Sequence, residues 1–215
     1  MGAGRTELAM SIFGRSFGTC ISGKLFKDGK EITIKTVLDA IKNGIAYATE
    51  DRKQYGLNLI DDIRHNVATA GLFKLSRRGL VDGHKELAVA ADYKDRMNIR
   101  SHSVLQKTGS LSGGNQQKVV LAKWLATKPS VLILNGPTVG VDIGSKFTIH
   151  SILRELASQG MAVIIISDDI AEVLTNCSTI AIMRAGHLSE PMSPDTLTEV
   201  ELTRLLSEDR AQASS

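Results

Sequence analysis

Two uninterrupted apolar runs, Val131-Leu132-Ile133-Leu134 and Met161-Ala162-Val163-Ile164-Ile165-Ile166, flank a segment with helical spacing. A strand that is apolar on both faces must be covered on both, which is the situation inside a parallel sheet layered between helices. The intervening segment Ser145–Ser158 places Ile149, Ile152, Leu153 and Leu156 on one helical face and is closed by Gly160, so the unit reads strand, helix, strand. The chain is therefore expected to be α/β. Its 215 residues, 42% hydrophobic and 23% charged, suffice for one sizeable core, and one domain is the default.

A second feature narrows the chemistry. Leu111-Ser112-Gly113-Gly114-Asn115-Gln116-Gln117-Lys118 puts a small, donor-rich turn at the start of a long amphipathic helix carrying Val119, Leu121, Trp124 and Leu125 on its apolar face and followed by Pro129. The first N–H groups of such a helix lack intrahelical acceptors and carry partial positive charge, so an anion can sit against them. Ser112 can cap, and Gly113 and Gly114 let the backbone approach closely. An ordinary capped helix after a glycine-rich loop accounts for the same residues; the surrounding motifs favour the phosphate reading.

Leu111–Lys118 resembles the signature motif of ATP-binding cassette (ABC) transporter ATPases. With Val119–Leu125 it is similar to the second nucleotide-binding half of simple-sugar importers of the ribose, galactose and xylose type. The resemblance runs over nearly the whole chain, from Gly2-Ala3-Gly4-Arg5-Thr6-Glu7 through Glu50-Asp51-Arg52-Lys53 to Val131–Lys146 and the strand before Ser167. It implies a P-loop NTPase-like parallel sheet, a helical subdomain at about residues 61–110 and a small antiparallel β edge, with 1–215 forming one partial nucleotide-binding domain. The hydrophobic strand that the family places before the phosphate loop is missing. By the same resemblance Gly2, Gly4, Arg5 and Thr6 stand at phosphate-loop positions, with Arg5 in place of lysine. Ser112, Gly113, Gly114 and Gln116 stand at nucleotide-contacting signature positions, and Glu50, Asp51 and Arg52 in the loop that couples the nucleotide site to a membrane partner. From composition alone that charged run is a solvated turn.

Elsewhere the pattern is local and readable. Glu7–Phe13 reads as a helix closed by Gly14. Lys24-Leu25-Phe26 and Glu31–Ile34 flank an Asp28-Gly29 hairpin turn, and a helix at Val37–Asn43 ends at Gly44. Ile45–Ala48 reads as a buried strand, Thr179–Met183 as another, Ala185-Gly186-His187 as a turn and Leu197–Leu206 as a closing helix. The tail Ala211–Ser215 is expected to be disordered. His65, His84 and His102 stand singly, which gives no metal set, and Cys20 and Cys177 lack the spacing of a disulfide or zinc framework. A reducing cytoplasm is the natural setting. No run approaches the ~20 apolar residues of a membrane span, so membrane contact is expected through a partner. The net charge of +3 decides nothing, and few aromatics and no basic stripe argue against a nucleic-acid partner.

The resemblance also exposes losses. An ABC ATPase needs an acid to hold magnesium and a glutamate to polarise water at the end of the strand Val131–Leu134; here Asn135 and Gly136 stand there. The switch histidine's place is taken by Ser167-Asp168-Asp169, of which Asp168 would repel a phosphate, while both acids suit a helix start. The expectation is a half whose own site is degenerate, with ATP and Mg2+ engaged weakly or only in an assembled dimer. Its signature would act in trans on the first nucleotide-binding half, beside a membrane permease that a periplasmic sugar-binding protein serves, on the inner face of the membrane. The alternative is a non-enzymatic remnant or interaction module that binds a permease or partner half without nucleotide.

Overall fold

The structure is a computed structural model that describes residues 3–14, 21–77 and 80–207. Gly2, Cys20 and the tail Ala211–Ser215 lie outside the described residues. The elements are, in order, α1 Arg5–Ile12, β1 Leu25–Lys27, β2 Lys30–Ile32, α2 Val37–Lys42, β3 Ile45–Ala48, α3 Ile63–Ala68, α4 Leu72–Leu75, β4 Ser76–Arg77, β5 Leu80–Val81 and α5 Gly83–Arg96. There follow α6 Gly113–Leu125, β6 Val131–Asn135, α7 Ile143–Ser158, β7 Ala162–Ile166, α8 Ile170–Asn176, β8 Met183–Arg184, β9 His187–Leu188 and α9 Glu199–Ser207.

A parallel sheet in the order β3-β6-β7 forms the centre, with Ala48 opposite Leu134 and Asn135 opposite Ile166. Its middle strand β6 explains why the chain closes around it. Leu132 and Leu134 point into a core shared with α3, α5, α6 and α7, while Ile133 points into a second core with Ala9 and Phe13 of the α1 region and Ala40 of α2. Leu132 and Leu134 are fully buried and Ile133 nearly so, each contributing about 1.5–3 kcal/mol. Phe13 packs edge-on to Trp124 and tilted against Tyr47, which ties α1, α6 and β3 together.

The hairpin β1–β2 turns at Asp28 and Gly29, both with positive φ, as an Asp-Gly pair favours. Within 61–110 the elements are helical except for the two-residue ladder β4–β5, which the sequence pattern did not suggest. α7 begins at Ile143, two residues earlier than Ser145, because Asp142 caps it by accepting from Ser145 N–H at 2.9 Å.

Two strand expectations are corrected. β7 is not buried on both faces: Ile164 is 47% exposed, because β7 pairs with β6 along one side only. Thr179–Met183 is not a continuous strand. Ile180 forms an isolated bridge with Met192, and within this stretch Met183–Arg184 pairs with His187–Leu188; among the described residues no sheet neighbour lies alongside to extend the ladder. Among the described residues no helix is long and apolar enough to cross a membrane.

Candidate functional site

The C-terminal ends of β3 and β6 and the N-terminus of α1 converge, bringing Thr6, Glu50, Asp51, Arg52, Asn135, Val139 and Gly140 around one cavity of about 830 Å³ floored by Met10, Phe13, Tyr47 and Trp124. α1 starts from Gly4 at φ 94° with no side-chain cap. Two of its side chains reach across the fold. Arg5 grips Asp168 with two parallel hydrogen bonds, Nη1 to Oδ1 at 2.6 Å and Nη2 to Oδ2 at 2.9 Å, and Nη1 also donates to the Ser167 carbonyl at 3.3 Å. The hydrogen bond from Arg5 pulls the Asp168 carboxyl below its ordinary pKa, and the same bond raises that of Arg5. Thr6 Oγ1 accepts from Asn135 Nδ2 at 2.9 Å, and the same amide lies 3.4 Å from the Tyr47 hydroxyl.

Asp168 is therefore not a helix cap, contrary to expectation. Asp169 caps α8 by accepting from Glu172 N–H at 3.1 Å, whereas Asp168 neutralises Arg5. Gly136 follows Asn135 with φ +60°, and a Cβ there would lie 2.9 Å from Val139 Cγ2 and 3.1 Å from Glu50 Cγ, so the Glu50 stem occupies the space next to the missing side chain. Asn135 is buried, its amide N–H groups turned to hydroxyls. Nothing in this arrangement leaves a carboxylate on Asn135 or Gly136.

The signature turn is built differently. Ser112 is exposed and caps α6, its Oγ accepting from Asn115 Nδ2 at 2.9 Å and Asn115 N–H at 3.4 Å. The N–H groups of Gly113 and Gly114 have no acceptor among the described residues, which leaves the first turn with donors to offer. Gly114 has a packing reason as well: a Cβ on it would fall 1.9 Å from Ser145 Oγ and 2.5 Å from Ser145 Cβ. Gln116 is turned inward, its Nε2 donating to Leu111 O at 3.2 Å and Thr108 O at 3.3 Å, so its side chain serves the turn's shape.

Arg52 joins the two ends. Its Nη1 and Nη2 donate to the carbonyls of Val139 at 2.7 Å and Gly140 at 3.0 Å, and its Nε approaches Gln116 Oε1 at 3.4 Å. The segment Arg52–Gly56 is a wide helical turn capped by Asp51, which accepts from Lys53 and Gln54 N–H at 3.0 Å. Of the Glu50, Asp51 and Arg52 set, Arg52 thus faces the signature and Asp51 holds the turn, while Tyr55 stands 72% exposed on it. Neither the Arg5–Asp168 pair nor the Arg52 clamp could be found from spacing, since their partners lie more than sixty residues away in sequence and no local pattern links them.

His65 is spent on its neighbours: Nδ1 lies 2.7 Å from Asp61 Oδ1, a hydrogen bond that raises the imidazole pKa.

The family model for ABC transporters matches residues 1–139. The chain is 46% identical over 212 residues, 99% of its length, to the L-arabinose transport ATP-binding protein AraG of Geobacillus stearothermophilus, and covers 41% of that protein. It is 42% identical over 88% of its length to the xylose import ATP-binding protein XylG of Thermoanaerobacter pseudethanolicus, covering 37% of it. It thus spans about 40% of the length of the curated relatives it matches. In fold, a bacterial ABC transporter cassette solved as a dimer superposes with TM-score 0.73 at 20% identity, over 90% of this chain and 82% of the other. A Clostridium perfringens protein, cbiO1, part of an ABC transporter complex, superposes with TM-score 0.72 at 22% identity, over 99% and 82%. The matched family model, the long alignments at above 40% identity and the shared sheet agree: this chain belongs to the ABC transporter family.

Proposed function

We propose that the chain acts as an ATP-binding half of a sugar importer, lending its Leu111–Gln117 signature in trans to a site on a partner nucleotide-binding half while its own site stays idle. One contrast carries this reading. Arg5 and Thr6, at the phosphate-loop positions, are already engaged by Asp168 and Asn135, whereas the signature turn keeps an exposed Ser112 and two backbone donors without acceptors among the described residues. The names of the relatives, arabinose, xylose and ribose transport, support the substrate class.

ATP and Mg2+ fit this chain's own loop poorly. A phosphate would have to compete with Asp168 for Arg5, and a cation would meet an amide N–H where it needs an anionic oxygen. No hydrolytic step is therefore routed through Thr6, Asn135 or Gly136. At the signature the residues do fit: Ser112 Oγ and the Gly113 and Gly114 N–H groups would bind and orient phosphate oxygens presented by the partner half, in a role like that of an oxyanion site. Nucleotide-dependent closure of the two halves would then be passed to a membrane permease through the Glu50–Gly56 turn, with a periplasmic sugar-binding protein upstream and the chain peripheral on the cytoplasmic face.

Ser112→Asp separates phosphate contact from capping, because aspartate caps as well as serine but repels phosphate. In a reconstituted pair with a first half, ATP turnover should fall by about a hundredfold or more with the thermal midpoint of this chain unchanged. Undiminished turnover would sink the trans role.

A second reading has its own support in the same closure: a non-enzymatic module that binds a partner half or permease without nucleotide. Calorimetric titration of ATP with magnesium separates the two. Binding only after a first half is added supports the trans role, and no binding in either case supports the module.

A further inference from the structure

Gln116, Val120 and Lys123 are spaced along α6 so that they stack on one face of the helix, and the Arg52–Gly56 turn is laid along that face. At its start Arg52 Nε approaches Gln116 Oε1 at 3.4 Å, and at its end the Gly56 carbonyl accepts from Lys123 Nζ at 2.8 Å. Gly56 is buried, and a Cβ on it would stand 3.4 Å from Val120 Cγ2 and 3.3 Å from Arg52 Cβ, so glycine lets the turn lie close against the helix. Leu57, the next residue, enters the same core as Val120 and Leu121.

Lysine is a costly choice at position 123. Burial pushes its ammonium below its ordinary pKa, and no carboxylate opposes that shift. What the ammonium has instead is the Gly56 carbonyl and the Trp124 ring, whose centroid lies 5.2 Å away. A cation suits the last turn of a helix, yet an exposed lysine meets that preference without being desolvated. An apolar side chain of similar length would avoid the desolvation altogether, and it would leave the Gly56 carbonyl without this donor.

We propose that Lys123 is a positioning residue: it fastens the far end of the Arg52–Gly56 turn to the signature helix, so that the turn follows α6 as well as the strand β3 from which it issues. The proposal rests on the reading of α6 as the element that meets phosphate on a partner half and of the turn as the route to a permease. The near end of the turn is shared, because Arg52 also holds the carbonyls of Val139 and Gly140. The far end is tied to α6 through Lys123. A displacement of α6 set by contact at Ser112 then reaches Tyr55, the exposed side chain of the turn, through two ties in place of one.

The test compares Lys123→Met, which keeps the volume of the stem and removes donor and charge, with Lys123→Arg, which keeps both. Lys123→Gln, one bond shorter, is a second loss variant. In the full chain alone, each loss variant should speed amide hydrogen exchange at Tyr55 and Gly56 by about tenfold or more, while Leu132 and Leu134 in β6 exchange as in the parent. In a pair with a first half, ATP turnover should stay within about twofold of the parent. The rise in turnover on adding the permease in proteoliposomes should shrink by about tenfold, and Lys123→Arg should restore both the protection and the rise. A lysine that merely stabilises the fold predicts turnover and its rise falling in parallel. That parallel fall, an undiminished rise in the loss variants, or no rescue by arginine overturns the proposal. Ser112→Asp tells this failure from that of the underlying reading. If turnover of the pair survives Ser112→Asp, the trans role and this proposal fall together; if it is lost there while Lys123→Met and Lys123→Gln keep the parent's rise, the role of Lys123 alone falls.

Discussion

The molecule has two helix N-termini that open on glycine-rich turns, α1 after Gly4 and α6 after Ser112, and they are finished in opposite ways. At α1 the flanking cation is already paired, Arg5 to Asp168, and the hydroxyl of Thr6 is already taken by Asn135. At α6 the cap is a neutral serine, the carboxylate next to the turn, Asp142, is taken up by the N–H and hydroxyl of Ser145, and the nearby guanidinium of Arg52 is bound only to carbonyl and amide oxygens. Both termini carry the same dipole. What differs is whether a carboxylate of the fold has paired the cation beside the helix start: Asp168 holds Arg5, whereas no ion pair holds Arg52 among the described residues.

The sharpest way to break this contrast is to disturb the open end without touching its donors. Gly114→Ala drives a methyl into Ser145, and should cost about 2–3 kcal/mol in urea unfolding, most of it returned when Ser145→Gly is added, as expected for groups in direct contact. A loss that Ser145→Gly does not rescue would mean that the added methyl costs stability through something other than contact with Ser145. At the closed end, Asn135→Asp places a charge in a buried position opposite the Thr6 and Tyr47 hydroxyls. It should lower stability by about 1–2 kcal/mol in the absence of divalent cations, with part recovered in millimolar Mg2+; no recovery would show that the loop's shape, beyond its missing carboxylate, excludes the ion.

Smaller effects come from the ion pair. Asp168→Asn frees Arg5, and weak ATP binding to the isolated chain should become measurable by calorimetry. Because Asp168 is 83% exposed at its side chain, the stability cost should not exceed about 1 kcal/mol. The pH dependence has a definite sign. The folded-state pKa of Asp168 lies below its ordinary value of 3.8, so the pair's contribution is full above that value and disappears as pH falls through the lowered one. The stability difference between the parent and Asp168→Asn should therefore vanish in acid and be constant at neutral pH; a difference that grows on acidification would contradict the pairing.

Much of this was legible from local pattern. The Asp28-Gly29 turn, the Gly44 stop, β3, β6 and the capped start of α6 each follow from a few adjacent residues whose conformational preferences point one way. Long-range choices were not. Asn135 and Gly136 announce that no carboxylate stands there, but only the fold reveals that the Asn135 amide reaches Thr6 and that the Glu50 stem lies beside Gly136. Ile164 and Ile165 read as the interior of a sheet because an apolar run is the same string whether its strand is central or at an edge; neighbours decide, and they come from elsewhere in the chain. The cap at Asp142 was missed for a smaller reason, since Gly144 interrupts the apolar spacing that marks the start of α7.

The Arg52 clamp has an electrical consequence. Carbonyls and an amide oxygen satisfy hydrogen bonds without cancelling charge, so the Arg52 guanidinium keeps its charge beside the signature turn, in a cavity with an apolar floor that Glu50, Asp51 and Lys53 also line. Low-polarity walls focus such a field outward. A phosphate group brought against Arg52 would meet this charge directly, while at longer range Glu50 and Asp51 offset it, and added salt would weaken both effects.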